Sequence, residues 1–482
     1  MTRGTDTTTA AAAGAPGADT PWLTGLWEPV ADEIDAPDLP VTGELPAGLR
    51  GSYLRNGPNP AFPPLGRYHL FDGDGMVHGL TIEHGRVRYR NRWVRSRGLA
   101  AERRAGRALY SGLSDFRMPD PDVVAEGGMM KNTANTHVVR HAGRLLALME
   151  GAPPTEVTPD LDTVGEYHFA GALAGAMTAH PKIDPATGEM VFFGYSPFPP
   201  HLRVHAADAD GVLTWSTPVD LPAPVMMHDF AVTERHVVVF DLPAVFDLEA
   251  MLAGRGGGFI RWAPDHGARI GVLERGAPGD TVRWVDVDPF WVFHFLNAHD
   301  DGEAVVVEGC RAVRLNVGFG DEQPADVPTT LHRWRIDPAA GTVSEQQLDD
   351  RVGDFPRVAD ADAGRVARHG YLAAARPGGG ADVEFGGVTK VDLVSGTTTT
   401  LSWGDGESGG EAVFAADPER ARADDGGTDD AGWLLCLVSD KATRATDLVV
   451  ADAGAMEEVA RVRMPRRVPA GFHGSWLPTD DG

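Results

Sequence analysis

The chain has 482 residues and a net charge of −26, from 43 Lys and Arg against 69 Asp and Glu. A polyanion of this strength is repelled by nucleic-acid phosphates and anionic lipid headgroups, which makes both poor partners. Hydrophobic residues at 42% and charged residues at 23% fit a globular chain, and 59 glycines and 36 prolines favour a turn-rich all-β fold over a helical bundle.

The first 20 residues, small and polar with no leucine-rich segment, read as a disordered tail rather than a secretory signal; residues 21–482 read as one domain. Short apolar, β-branched runs follow: RLLALMEG (144–151), MVFFGYS (190–196), HVVVFDLP (236–243), EAVVVEG (303–309), WLLCLVSD (433–440) and DLVVADA (447–453). Turn sequences punctuate them, including DPATGE (184–189), DADG (208–211), DPAAGT (337–342) and DLVSGT (392–397). Residues 241–267 look like an insertion between strands, and VFDLEAMLAG (245–254) within it is a helix candidate ended by a glycine. Residues 418–432, charged and glycine-rich, read as a long surface loop. No window approaches 18 consecutive apolar residues, so no membrane span is expected. Cys310 and Cys436 each sit in an apolar run, which fits buried reduced thiols and a cytoplasmic protein. Many short strands suit two sandwiches, a double jelly roll or one β-propeller.

Four of the 17 histidines stand in similar settings. His180, His228 and His294 each precede a turn and a strong strand, and His473 lies in GFHGSW near the C-terminus. Their separations match no local zinc motif. A ring of repeated units fits better, each presenting one side chain to a shared axis, as propeller blades do. His299, five residues after His294, is expected in a turn beside Asp300 and Asp301. Glu150, Asp354 and Glu411 sit in apolar settings where an unpaired carboxylate would be costly. Each could accept backbone amides, or take the Nδ1–H of a ligating histidine. The glycines of DGDGMVHG (72–79) match no phosphate-binding loop, and a tight turn is the expected role.

At these residues the sequence resembles the carotenoid cleavage oxygenase family, to which the lignostilbene dioxygenases are related. The likeness runs in order through GSYLRNGPNP, YHLFDGDGMVHG, KNTANTHVV, LALMEG, TAHPK, MMHDF, FHFLNA, DFPRV, GEAVF and GFHGSW, over roughly residues 25–480. It implies a seven-bladed β-propeller with a cap of loops and short helices over an axial metal site. It implies one Fe(II) per chain held by His180, His228, His294 and His473, with Glu150, Asp354 and Glu411 hydrogen-bonded to the ligands. Asp354 stands where the family typically keeps glutamate, so either the backbone moves in or a water bridges. Thr136 falls where a threonine crowds a vacant iron position, and His78 falls at a position that is not a ligand. The implied chemistry is O2-dependent scission of a conjugated double bond into two carbonyl compounds.

Stilbene-cleaving relatives carry a lysine immediately before the first of those carboxylates, and here that position is Met149, which donates no hydrogen bond. Met149 and Phe293 are therefore the substrate-contact candidates, and a carotenoid or apocarotenoid is the expected substrate. A stilbene cleaver, a retinoid-type isomerohydrolase and a non-catalytic propeller are the alternatives. An apolar polyene also implies peripheral contact with a membrane, for which Phe246, Leu248, Met251, Leu252, Phe259 and Ile260 are candidates. Oligomeric state is not legible.

Overall fold

The structure, a computed structural model, describes residues 21–254, 258–315, 327–376, 384–420 and 430–479. The tail at 1–20, residues 255–257 of the insertion and residues 421–429 of the loop candidate lie outside the described residues.

The turn sequences do what their chemistry demands. Gly188 of DPATGE adopts φ +71° and its amide donates to the Asp184 carbonyl, while the Asp184 carboxylate takes the Ala186 amide. Gly396 of DLVSGT adopts φ +73° in the same way. These turns join antiparallel strands into seven sheets of four to six strands, arranged as a seven-bladed β-propeller. The central strand Ala304–Ala312 is buried at every residue but Arg311, whereas Thr342–Gln347 at the outer edge of the same sheet is almost wholly exposed. A strand covered by blades on both faces has no solvent side, so EAVVVEG is continuously apolar instead of alternating.

The innermost strands line the axis. Trp291–Asp301 packs beside Ala231–Val232 and Gly353–Arg357, and Gly474–Pro478 packs beside His137–His141 and Val413–Ala416. Two pairings close the ring. The C-terminal strand Gly474–Pro478 joins Gly51–Arg55, with Ser475 opposite Leu54. The N-terminal strand Val41–Gly43 joins Glu457–Arg463 at the outer edge of the last blade.

The insertion is only partly helical. The helix runs Leu248–Ala253, capped by the Asp247 carboxylate on the Ala250 amide and ended by Gly254 in the left-handed region. Val245 and Phe246 belong instead to the strand Ala244–Phe246, paired with Ile260–Trp262, as a β-branched and aromatic run before a capping aspartate favours. Two helices were not anticipated, Arg97–Ala105 and Pro121–Gly127. Ser96 caps the first through the Leu99 amide, and Gly106 ends it at φ +67°. Cys310 and Cys436 are free and buried. No helix among the described residues is long and apolar enough to cross a membrane.

Candidate metal centre and substrate cavity

His180, His228 and His473 each lie one to three residues before an innermost strand, and His294 lies within one. In Trp291–Asp301 the register shifts on either side of Phe295, so the strand bulges beside His294. All four side chains are buried, and one ring nitrogen from each lies within 4.8 Å of all the others. The Nε2 atoms of His180 and His228 are 3.0 Å apart, and those of His228 and His294 are 3.3 Å apart. Nitrogens bound to one metal at about 2.1 Å stand about 3 Å apart when adjacent, so the four fit a single ion. Burial, reinforced by the neighbouring imidazoles, holds His180 and His473 well below the usual histidine range and keeps them neutral. Burial also lowers His228, but the Glu150 carboxylate outweighs it and raises this ring overall. Four imidazoles with no thiolate suit iron, zinc, copper or nickel, and octahedral coordination leaves two positions open.

Three of the rings donate Nδ1–H to a carboxylate from another blade. His228 pairs with Glu150 Oε2, and the Tyr195 hydroxyl donates to the other Glu150 oxygen at 2.6 Å. His473 Nδ1 is 2.9 Å from Glu411 Oε1, while Glu411 Oε2 accepts the Gly474 amide at 2.7 Å. His294 Nδ1 is 2.8 Å from Asp354 Oδ1. The last contact is direct, so no water bridges it. The strand that presents it is irregular: Gly353–Arg357 carries a bulge between Asp354 and Arg357, and Phe355 adopts φ +52°. His180 has no carboxylate partner among the described residues; the Thr178 hydroxyl accepts its backbone amide at 3.0 Å.

His228, His294 and His473 open onto a cavity of about 1700 Å³ that Thr136, Met149 and Phe293 also line. Phe293 stands edge-on to His228 at 5.2 Å, and Phe355 stacks on His294 at 5.0 Å. The Thr136 carbonyl accepts the His473 amide at 3.1 Å, and its hydroxyl donates to Asn135 Oδ1 at 3.1 Å. His78 is buried away from the cluster with Nδ1 2.8 Å from the Tyr89 hydroxyl, a structural histidine. The expectation for His299 is corrected: it lies within the strand, opposite Val306, because the strand extends to Asp301 and the turn begins at Gly302. Of the insertion residues, Phe246, Met251 and Phe259 are buried in the core, and Leu252 is 55% exposed.

One residue beside the centre went unnoticed in the sequence. His137 is buried, with Nδ1 3.1 Å from the Ala179 carbonyl and Nε2 3.1 Å from the Gly474 carbonyl. It thereby bridges the residue before His180 and the residue after His473. Its place immediately after Thr136 was the available signal.

A family model described as retinal pigment epithelial membrane protein matches residues 27–478. The carotenoid cleavage oxygenase of Mycobacterium tuberculosis is 35% identical, over 95% of this chain and 98% of that protein. The crystal structure of the Pseudomonas brassicacearum lignostilbene dioxygenase superposes with a TM-score of 0.87 at 31% identity, over 96% of this chain and 99% of that one. Cobalt-substituted apocarotenoid oxygenase of Synechocystis gives a TM-score of 0.82 at 30% identity, over 94% and 97%. With its propeller, its four-histidine cluster and a match along nearly its whole length, the chain belongs to the carotenoid cleavage oxygenase family and is an oxygenase.

Proposed function

We propose that the protein is a non-haem Fe(II) dioxygenase that cleaves a conjugated C=C bond of a carotenoid or apocarotenoid into two carbonyl products. The carrying observation is the buried four-imidazole cluster opening onto a large, mainly apolar cavity. Relatives named for carotenoid cleavage support the substrate class, and a relative of this fold described as cobalt-substituted supports a bound metal.

His180, His228, His294 and His473 would hold one iron per chain, which would supply O2 activation. The protein's own residues do the rest. Glu150, Asp354 and Glu411 take the Nδ1 protons, fix the tautomers and turn each Nε2 lone pair toward the common point. Tyr195 anchors Glu150 in that task. Phe293 and Phe355 cover the ligand rings with apolar surface, which excludes water and leaves a face for a polyene. Thr136 narrows the cavity next to His473. Met149 adds a soft apolar contact beside Glu150. The cavity exceeds the ~300–1,000 Å³ of ordinary small-molecule sites, which suits a long substrate.

A polyene reaches such a cavity from a membrane or micelle. Leu65 and Phe198 line the cavity yet are 42% and 47% exposed, so they stand where it meets solvent. Met118, 41% exposed, lies against Gly254 at the end of the helix that carries Leu252. These residues, rather than the buried part of the insertion, form the proposed peripheral membrane contact. The free buried cysteines accord with a reducing cytoplasm.

The test is aerobic incubation of the Fe(II)-loaded protein with a β-apocarotenal, β-carotene and resveratrol in parallel. Shortened polyene aldehydes support the proposal, and their masses locate the cleaved bond. Phenolic aldehydes from resveratrol alone would refute the Met149 argument in favour of the stilbene branch.

A further inference from the structure

The metal centre does not use the DGDG turn, residues 72–75, which lies on the cavity wall. Asp72 spends its carboxylate on backbone amides, those of His69 at 2.7 Å and Leu113 at 2.9 Å. Asp74 Oδ1 lies 2.5 Å from the Lys131 ammonium, which reaches Glu102 Oε2 at 2.5 Å as well. All three side chains are buried, with 4%, 11% and 2% of their surface exposed in the order Asp74, Lys131, Glu102. Tyr68 stands against the turn at Gly73, near the Asp72 and Asp74 carboxylates. It is 5% exposed, and its hydroxyl has no hydrogen-bond partner among the described residues. A Cβ on Gly73 would come within 2.6 Å of that hydroxyl, so the glycine makes its room. The Asn135 amide donates to the carbonyls of Phe71 and Gly73 at 2.9 and 2.7 Å, which ties the turn to the residue preceding Thr136. Tyr68, Asp74, Glu102 and Lys131 all line the same cavity as the metal centre.

We propose that Tyr68 and Lys131, backed by Asp74 and Glu102, form a subsite for a hydroxyl group on the ring end of the polyene. The inference rests on the polyene reading above. An ammonium has three donors, and the two carboxylates occupy two of them. A phenol hydroxyl both donates and accepts, as an alcohol does, so the two complement each other. Lys131, Asp74 and Glu102 together carry one net negative charge, which disfavours a carboxylate end group. An unsubstituted ring leaves the Tyr68 hydroxyl unpaired, and sites built around a hydroxyl discriminate against analogues that lack one.

The experiment is a spectral titration of the metal-free protein with a β-apocarotenal and its 3-hydroxy counterpart, repeated on Tyr68→Phe. Turnover of both compounds by the iron-loaded wild type is measured alongside. The wild type should bind the hydroxylated compound about fivefold more tightly, the yield of one hydrogen bond. Tyr68→Phe keeps the Lys131 donor, so it should reduce that preference by weakening the hydroxylated compound, while the unsubstituted compound, no longer facing an unpaired hydroxyl, binds at least as tightly as before. Equal wild-type affinities with both compounds cleaved would overturn the subsite alone, as would a Tyr68→Phe loss shared equally by both. Failure of either compound to bind would overturn the subsite together with the polyene reading.

Discussion

Asp354→Glu should weaken metal binding, although it keeps the carboxylate. The Asp354 carboxylate already contacts His294 Nδ1 at 2.8 Å, from a bulged strand with Phe355 at φ +52°. One added methylene extends the side chain by about 1.5 Å. Directed along the contact, that would push the oxygen well inside the hydrogen-bond distance. The side chain must fold aside, or the bulge must relax and carry Phe355 off the His294 ring it stacks on at 5.0 Å. Overpacking of this kind costs about 1–3 kcal/mol. A misplaced hydrogen-bond partner of a metal ligand costs about 10–100-fold in affinity. The assay is competition for Fe(II) or Co(II) against a chelator of known strength, with the melting temperature measured in parallel. Affinity equal to or tighter than wild type would refute the claim that the bulge is fitted to the shorter side chain.

Other changes test other parts of the account. Glu411→Gln keeps the shape but loses the charge that His473 donates to, so metal affinity should fall about 10-fold or more by the same competition. His137→Phe removes both carbonyl contacts and should lower metal affinity and broaden the Co(II) absorption bands; unchanged bands and affinity would show that the bridge does not position His180 and His473. Burial lowers His205 to about 4, so between that pH and the unfolded value near 6.5 the unfolded chain binds the extra proton. Stability is then full above about pH 6.5 and declines by roughly 3 kcal/mol as pH falls to about 4. His205→Phe should flatten that decline in urea melts, and an unaltered pH slope would contradict the assignment. Leu252→Ser combined with Phe198→Ser should reduce activity on vesicle-embedded substrate more than on detergent-solubilised substrate; equal effects would remove the membrane contact from the account.

The features of the site that were legible are those set by chemistry at a strand end. His180, His228 and His294 announced themselves by standing before a turn and a strand, and Glu150 and Glu411 by their apolar surroundings. The direct Asp354 contact was not legible, because a bulge is a backbone property that DFPRV does not encode in side-chain pattern. His137 was missed because its partners, the Ala179 and Gly474 carbonyls and the Ser475 hydroxyl, are brought together only when the ring of blades closes. The blade cores were readable as apolar runs. The helix Arg97–Ala105 was overlooked because its buried side is confined to Gly98, Leu99, Ala101 and Glu102, too short for periodicity to stand out. Its Ser96 and Gly106 caps were the signal that could have found it. The polar group on the DGDG turn is likewise a tertiary product, since Lys131 and Glu102 reach the turn from separate segments.

The most direct test of the central claim is to incubate the protein, loaded with one Fe(II) per chain, with a β-apocarotenal, with and without oxygen, and to weigh the products. The account predicts two carbonyl fragments that together equal the substrate plus one O2, formed only in the aerobic sample. An isomerised or hydrolysed product formed equally without oxygen, or no product with iron bound and the polyene in the cavity, would contradict it.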